Sequence, residues 1–171
     1  MPTLTPEHQL GRYIISFQGL ERILNEILIV LADVRDREVV TILVHELEFG
    51  RRVATADVLF SHVIRTSFPT QANHVKVFHK LTEELVEVSK FRNTLVHSHY
   101  DLWIDITGRS DAEFSNSRLK PNQGMRIEET TSMMAESFET RLDDLRKTAG
   151  RLLEYLELLV EWFGGRKYAL R

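Results

Sequence analysis

Apolar residues recur at three- and four-residue intervals through most of this chain, and that spacing restricts its possible folds more than any other feature. Leu10, Ile14, Phe17, Leu20, Leu24, Ile27 and Leu31 form one such series; Met134, Phe138, Leu142, Leu145, Ala149, Leu152, Leu156, Leu159 and Phe163 form another. At 3.6 residues per turn each series lies on one face of an α-helix, and that face must bury against a neighbour. Thr5-Pro6-Glu7 supplies a capping hydroxyl, a proline in the first turn and an acid at the positive end of the helix dipole. The pattern therefore predicts a first helix from about Pro6 to Ala32 and a last one from Thr131 to Phe163, stopped by Gly164-Gly165.

The intervening chain fits the same scheme. A polar break at Asp33-Val34-Arg35-Asp36 precedes a short apolar segment from Val39 to Leu47. A further helix is expected from near Gly50 to Thr66, carrying Val53, Ala56, Leu59, Phe60 and Val63, and ending where Pro69 disfavours helical geometry before it. The next is expected from about Gln71 to His99. The period then changes, with candidate short strands at Leu102 to Ile106, Phe114 to Leu119 and Met125 to Glu128 and a turn at Lys120 to Gly124. Short connections between long amphipathic helices imply antiparallel neighbours. The expected fold is an all-α antiparallel bundle of four long helices and a short one, in a single domain over 1–171, with a small β-hairpin or flap inserted at about 101–128. Gly150, inside the last helix, costs helix stability and is expected to mark a close approach of another helix.

Composition excludes several classes of function. With 43% hydrophobic and 27% charged residues, the chain has the make-up of an ordinary soluble domain. No window approaches the ~18 uninterrupted apolar residues of a membrane span, and the start lacks the basic-then-apolar order of a signal peptide. The absence of cysteine removes disulfides and thiolate metal sites. A cytoplasmic location without membrane attachment is expected. His45-Glu46-Leu47-Glu48-Phe49 lacks the second histidine of a zinc-protease helix, His74 and His79 are poorly spaced for joint metal ligation, and no glycine-rich phosphate loop or nucleophile elbow is present. Neither a metal nor a cofactor is expected.

One segment departs from the pattern of a plain core helix. The stripe Phe78, Leu81, Leu85, Val88 continues at helical spacing to Arg92, Leu95, His99 and Leu102, so a guanidinium falls where an aliphatic is due. Burying that charge without a partner is costly, so Arg92 is either a paired structural ion or part of a site. Asn93 follows it directly, and His97 lies four residues beyond Asn93 on the same helix face. Net charge is −3, which gives no global attraction for nucleic acid. From Lys90 to Arg126, however, six bases face four acids, whereas from Glu128 to Glu161 nine acids face four bases. Solvated faces produce such imbalances as readily as an RNA site does.

Arg92-Asn93-Thr94-Leu95-Val96-His97 resembles the signature of HEPN-domain ribonucleases: an arginine, then Asn, Asp or His, then a histidine after a short spacer. The helical context is similar as well. The resemblance implies a metal-independent endoribonuclease that works as a homodimer, with its active site at the dimer interface. It implies Arg92 for phosphate binding and transition-state charge, His97 for proton transfer, and Asn93 for orientation. A role as a toxin or phage-defence effector, with a cognate antitoxin protein as partner, is implied in the same way. RNA is the expected substrate and DNA is not. In a toxin branch of the family a tyrosine stands two residues after the histidine and is modified by a partner enzyme. Here that position holds His99, with Tyr100 one place later.

The residue types suit that chemistry. Histidine exchanges protons near neutrality because its ordinary pKa is ~6.5, and the planar guanidinium of arginine can hold two phosphate oxygens. Within one helix Arg92 points about 100° away from Asn93, so pairing two motif helices about a two-fold axis is the expected way to bring Arg92 and His97 together. His99, Tyr100 and Lys90 are further candidate RNA contacts. The competing structural account pairs Arg92 with Glu87 or with an acid of the last helix and makes His97 a helix end. The alternative function is a catalytically inactive helical scaffold that binds a protein partner or a nucleotide.

Overall fold

The computed structural model describes residues 5–33, 36–104, 110–120, 125–132 and 135–164. Among the described residues five α-helices form a bundle: α1 (Pro6–Ala32), α2 (Arg37–His45), α3 (Phe49–Ser67), α4 (Asn73–Val96) and α5 (Ala135–Trp162). Between α4 and α5 the chain runs through three antiparallel strands, β1 (His99–Ile104), β2 (Ser110–Lys120) and β3 (Met125–Ser132), in the order β1-β2-β3. The register pairs His99 with Ser115 and Ile104 with Ser110 in the first ladder, and Glu113 with Ser132 and Lys120 with Met125 in the second.

The first helix is the hub. It packs against α5 most extensively, then α3, then α2 and α4. Thr5 caps it, accepting a hydrogen bond from the His8 amide at 3.4 Å. Its first half buries one stripe, Tyr13, Phe17, Leu20 and Leu24, as the spacing requires. Its last turns bury five consecutive residues, Ile27 to Leu31. A helix hydrophobic on every side must be enclosed on every side. The short α2 contributes to that enclosure by turning Val40 and Val44 inward, and the Asp36 carboxylate caps it by accepting from the Glu38 and Val39 amides.

An aromatic seam joins α3, α4 and α5. Phe60 and Phe78 stack with centroids 4.0 Å apart, and Tyr155 meets both edge-on. Offset and edge-to-face pairs of this kind add about 0.5–1.5 kcal/mol each beyond their buried area. At the other end of α4, Tyr13 meets Phe91 edge-on at 5.1 Å, and Phe138 closes the group.

Three expectations need correction. The last helix begins at Ala135, not Thr131, because Thr131 and Ser132 pair with β2 at the end of β3. The motif helix ends at Val96 instead of continuing to His99, and His99 already belongs to β1. Near this end the Thr94 hydroxyl donates to the Lys90 carbonyl and the Ser98 hydroxyl to the Thr94 carbonyl, at 3.0 and 2.5 Å. Such bonds occupy carbonyls that the helix would otherwise use and loosen its last turn, while pairing with β2 recruits the residues beyond. Gly150 is not a point of helix contact. A Cβ built there meets nothing within 4 Å, because the glycine faces an open cleft.

Candidate functional site

The residues singled out from the sequence lie in the last turn of α4 and just past it. Arg92 is half-buried, its guanidinium carbon 5.7 Å above the Phe17 ring of α1. One guanidinium nitrogen donates to the Asn93 side-chain oxygen at 3.2 Å. The two side chains therefore meet, although their Cα–Cβ bonds diverge around the helix; the arginine is long enough to curl back. Glu87 is taken by Lys90, 2.6 Å away, so it does not pair with Arg92. Among the described residues no carboxylate pairs with Arg92 at all. The guanidinium rests on an aromatic face and an amide, contacts that leave its charge and most of its donors open.

His97 is the C-cap of α4, and its amide donates to the Asn93 carbonyl at 3.1 Å. Its side chain is exposed and makes no hydrogen bond among the described residues. Asn93 is exposed between the two, bonded to Arg92 through its side chain and to His97 through its backbone. No contact among the described residues joins the Arg92 and His97 side chains within one chain. Lys90 is exposed on the same stretch. His99 and Tyr100 open β1, and their side chains lie outside the described residues.

A large hollow lies elsewhere. A cleft of about 730 Å³ opens between α4 and α5, over Val88, Phe91 and Gly150, and none of Arg92, Asn93 and His97 lines it. Its charges are mixed. Arg151 holds both oxygens of Glu84, at 2.6 and 2.5 Å, and Arg141 lies 4.9 Å above the Phe91 ring. Tyr13, only 1% exposed, closes its inner side and donates to the Val88 carbonyl at 3.3 Å. Burial pushes the Tyr13 phenol up to about 12, with the Arg141 charge opposing and Asp144 reinforcing the rise.

A second, smaller hollow was not foreseen from the sequence. It measures about 420 Å³ and is lined by Ser61 and Arg65 of α3, Ala72, and Val75, Lys76 and His79 of α4. His79 is fixed there by Asp57, with Nδ1 2.7 Å from Oδ2. That hydrogen bond, then the Asp57 charge, holds the imidazole above its usual pKa. These residues come from two helices brought together by the turn at Pro69–Gln71, so no local motif announces them. No group of three or more His, Asp or Glu side chains that could hold a metal ion occurs among the described residues, and no described helix is long and apolar enough to cross a membrane.

Against known proteins, no family model, no curated protein and no solved structure matches this chain.

Proposed function

We propose that the chain is a metal-independent endoribonuclease of the HEPN type, working as a homodimer in which the α4 ends of two chains form the site. The observation that carries this reading is the half-buried Arg92, which lacks a carboxylate partner among the described residues and is tethered to Asn93 one turn before an exposed His97. A structural arginine would be neutralised by an acid, as Arg151 is by Glu84.

In this mechanism one His97 removes the proton of a ribose 2′-hydroxyl, and the freed oxygen attacks the adjacent phosphorus. The P–O5′ bond breaks, and the His97 of the second chain donates a proton to the leaving 5′-oxygen. The products are a 2′,3′-cyclic phosphate and a 5′-hydroxyl. Arg92 neutralises the charge that grows on the pentacoordinate phosphorus, and Asn93 orients the guanidinium. A toxin or phage-defence role, with an antitoxin covering this end of α4, belongs to the same proposal.

The test is cleavage of RNA by purified protein in excess chelator, beside Arg92→Ala and His97→Ala of matched purity. Cyclic phosphate ends that disappear in both variants are the expected result. Equal cleavage by all three proteins would assign the activity to another site or a contaminant.

A second reading has its own support in the α4–α5 cleft, which is large, mostly apolar on its floor and not lined by Arg92, Asn93 or His97. In that reading the chain is a non-catalytic scaffold that holds a ligand or partner segment there. Cleavage by none of the three proteins on any RNA would favour it.

A further inference from the structure

The small hollow between α3 and α4 has an unusual lining for a chain of net charge −3. Arg65, Lys76 and His79 surround it with the Ser61 hydroxyl, and among the described residues no carboxylate lines it. Among the described residues neither Arg65 nor Lys76 has an ion-pair partner. His79 does, and the pairing fixes how it can act. Asp57 takes Nδ1 at 2.7 Å, while the other oxygen of Asp57 is buried with no hydrogen-bond partner. The imidazole is thus the chief answer to a partly buried carboxylate, which favours its protonated form. With Nδ1 engaged, Nε2 is the nitrogen left to donate; its nearest acid is Glu83 at 3.9 Å.

We propose that this hollow is a binding site for a phosphoryl group, carried either by a free nucleotide or by an RNA strand. The guanidinium of Arg65, the ammonium of Lys76 and Nε2 of His79 donate to its oxygens with the Ser61 hydroxyl, a donor set that matches the anionic oxygens of a phosphate monoester or diester. Two oxygens on phosphorus suit the arginine fork, and the compact ammonium serves a third in a monoester or shares one of the two in a diester. Within the helical repeat, His79 and His97 are eighteen residues apart, five full turns, so they fall on one line along α4 about 27 Å apart. Exposed Lys90 and Asn93 lie near that line. A strand cleaved at His97 therefore has a path along α4 to this hollow, and that version of the proposal rests on the ribonuclease reading.

The site responds to pH through His79. The groups facing His79 are Asp57 and Arg65 on α3, and Lys76 and Glu83 on α4. Asp57 raises its pKa above the ordinary ~6.5, so anion affinity is full below that value and falls as pH rises through the raised one.

The experiment follows the His79 imidazole by NMR, assigned with His79→Gln, at pH near 6.5 and constant ionic strength set by chloride. The probes are inorganic phosphate, 5′-AMP and a short single-stranded RNA without terminal phosphate. A saturable His79 shift with phosphate and 5′-AMP is expected, weakened roughly tenfold or more in Arg65→Gln/Lys76→Gln, since each change removes a charge-assisted hydrogen bond. Tighter saturation by the RNA than by 5′-AMP identifies a strand; the reverse order identifies a nucleotide. No saturable shift with any probe overturns the proposal, and so does a shift that survives in the double variant. Chelator-resistant cleavage read on the same double variant separates the two ideas. Retained cleavage with lost phosphate binding at His79 leaves both standing, whereas cleavage in a protein that never bound phosphate there removes only this one.

Discussion

Arg151 and Arg92 stand at two regions of one bundle and are held in opposite ways. In the α4–α5 cleft, Arg151 reaches across to Glu84 and grips both its oxygens. At the end of α4, Arg92 leans on Phe17 and an amide, with no acid in reach among the described residues. The first arrangement spends the charge within the chain and ties two helices. The second holds the side chain in place and leaves its charge for something else. Stability and activity should therefore separate cleanly between the two regions.

The largest expected effect is at the motif. Arg92→Ala and His97→Ala should each lower RNA cleavage by roughly 10²–10⁴-fold, the range for removing a transition-state charge or a proton-transfer group. Thermal unfolding should place both within about 1 kcal/mol of the parent, since neither breaks a buried ion pair. Arg151→Ala should leave cleavage unchanged. A reversal, with Arg151 essential and Arg92 dispensable, would break the comparison outright.

Next in size is the phenol that closes the cleft. Tyr13 has its pKa raised to about 12 by burial. The stability that goes with its neutral form is complete below the unfolded pKa of ~10 and is lost as pH rises from there through the folded value, on the order of 2–3 kcal/mol. Denaturant titrations between these pH values should show that fall, and Tyr13→Phe should flatten it. Phenolate absorbance should lose one late-titrating component in the same variant, Tyr155, also raised by burial, supplying another.

Smaller effects sharpen the picture of the cleft itself. Gly150→Ala should stabilise the chain by up to about 1 kcal/mol, because the helix gains a better former and the new methyl has open space. A destabilised variant by chemical denaturation would mean that the cleft closes on that position. Glu84→Gln should cost roughly 0.2–1 kcal/mol and less in high salt, as both partners are well over a third exposed. A salt-independent loss would show the pair to be more enclosed than its surface suggests.

Much of the helical layout was legible in the spacing of apolar residues. The bounds of α1 agree with the stripe and its Thr5-Pro6 start, and Gly164 adopts the left-handed backbone, φ 82°, that suits a helix stop. Legibility fails where distant residues decide the outcome. The α4 stripe runs on to His99 at helical spacing, yet pairing with β2 takes those residues into a strand. Gly150 has the same identity whether a helix touches it or a cleft opens beside it. The Arg92 side chain was readable as out of place on its stripe, but its partner was not: Glu87 looked available and is claimed by Lys90. The small hollow between α3 and α4 left no trace, since Asp57 and His79 are twenty-two residues apart and meet only when α3 and α4 fold together.

The hub position of α1 has a consequence for how the molecule comes into being. Its broadest interface is with α5, so during synthesis α1 emerges well before the helix that covers most of it. Until α5 emerges, the side of α1 that meets it, where Tyr13 faces Phe138, is incompletely covered, and the partly made chain is a natural client for chaperones that hold exposed apolar surface. Closing a contact between α1 and α5 also raises the contact order of this bundle well above that of one joined neighbour to neighbour, and slows the final step of its folding accordingly. A chain truncated before α5 should be synthesised without difficulty and fail to persist.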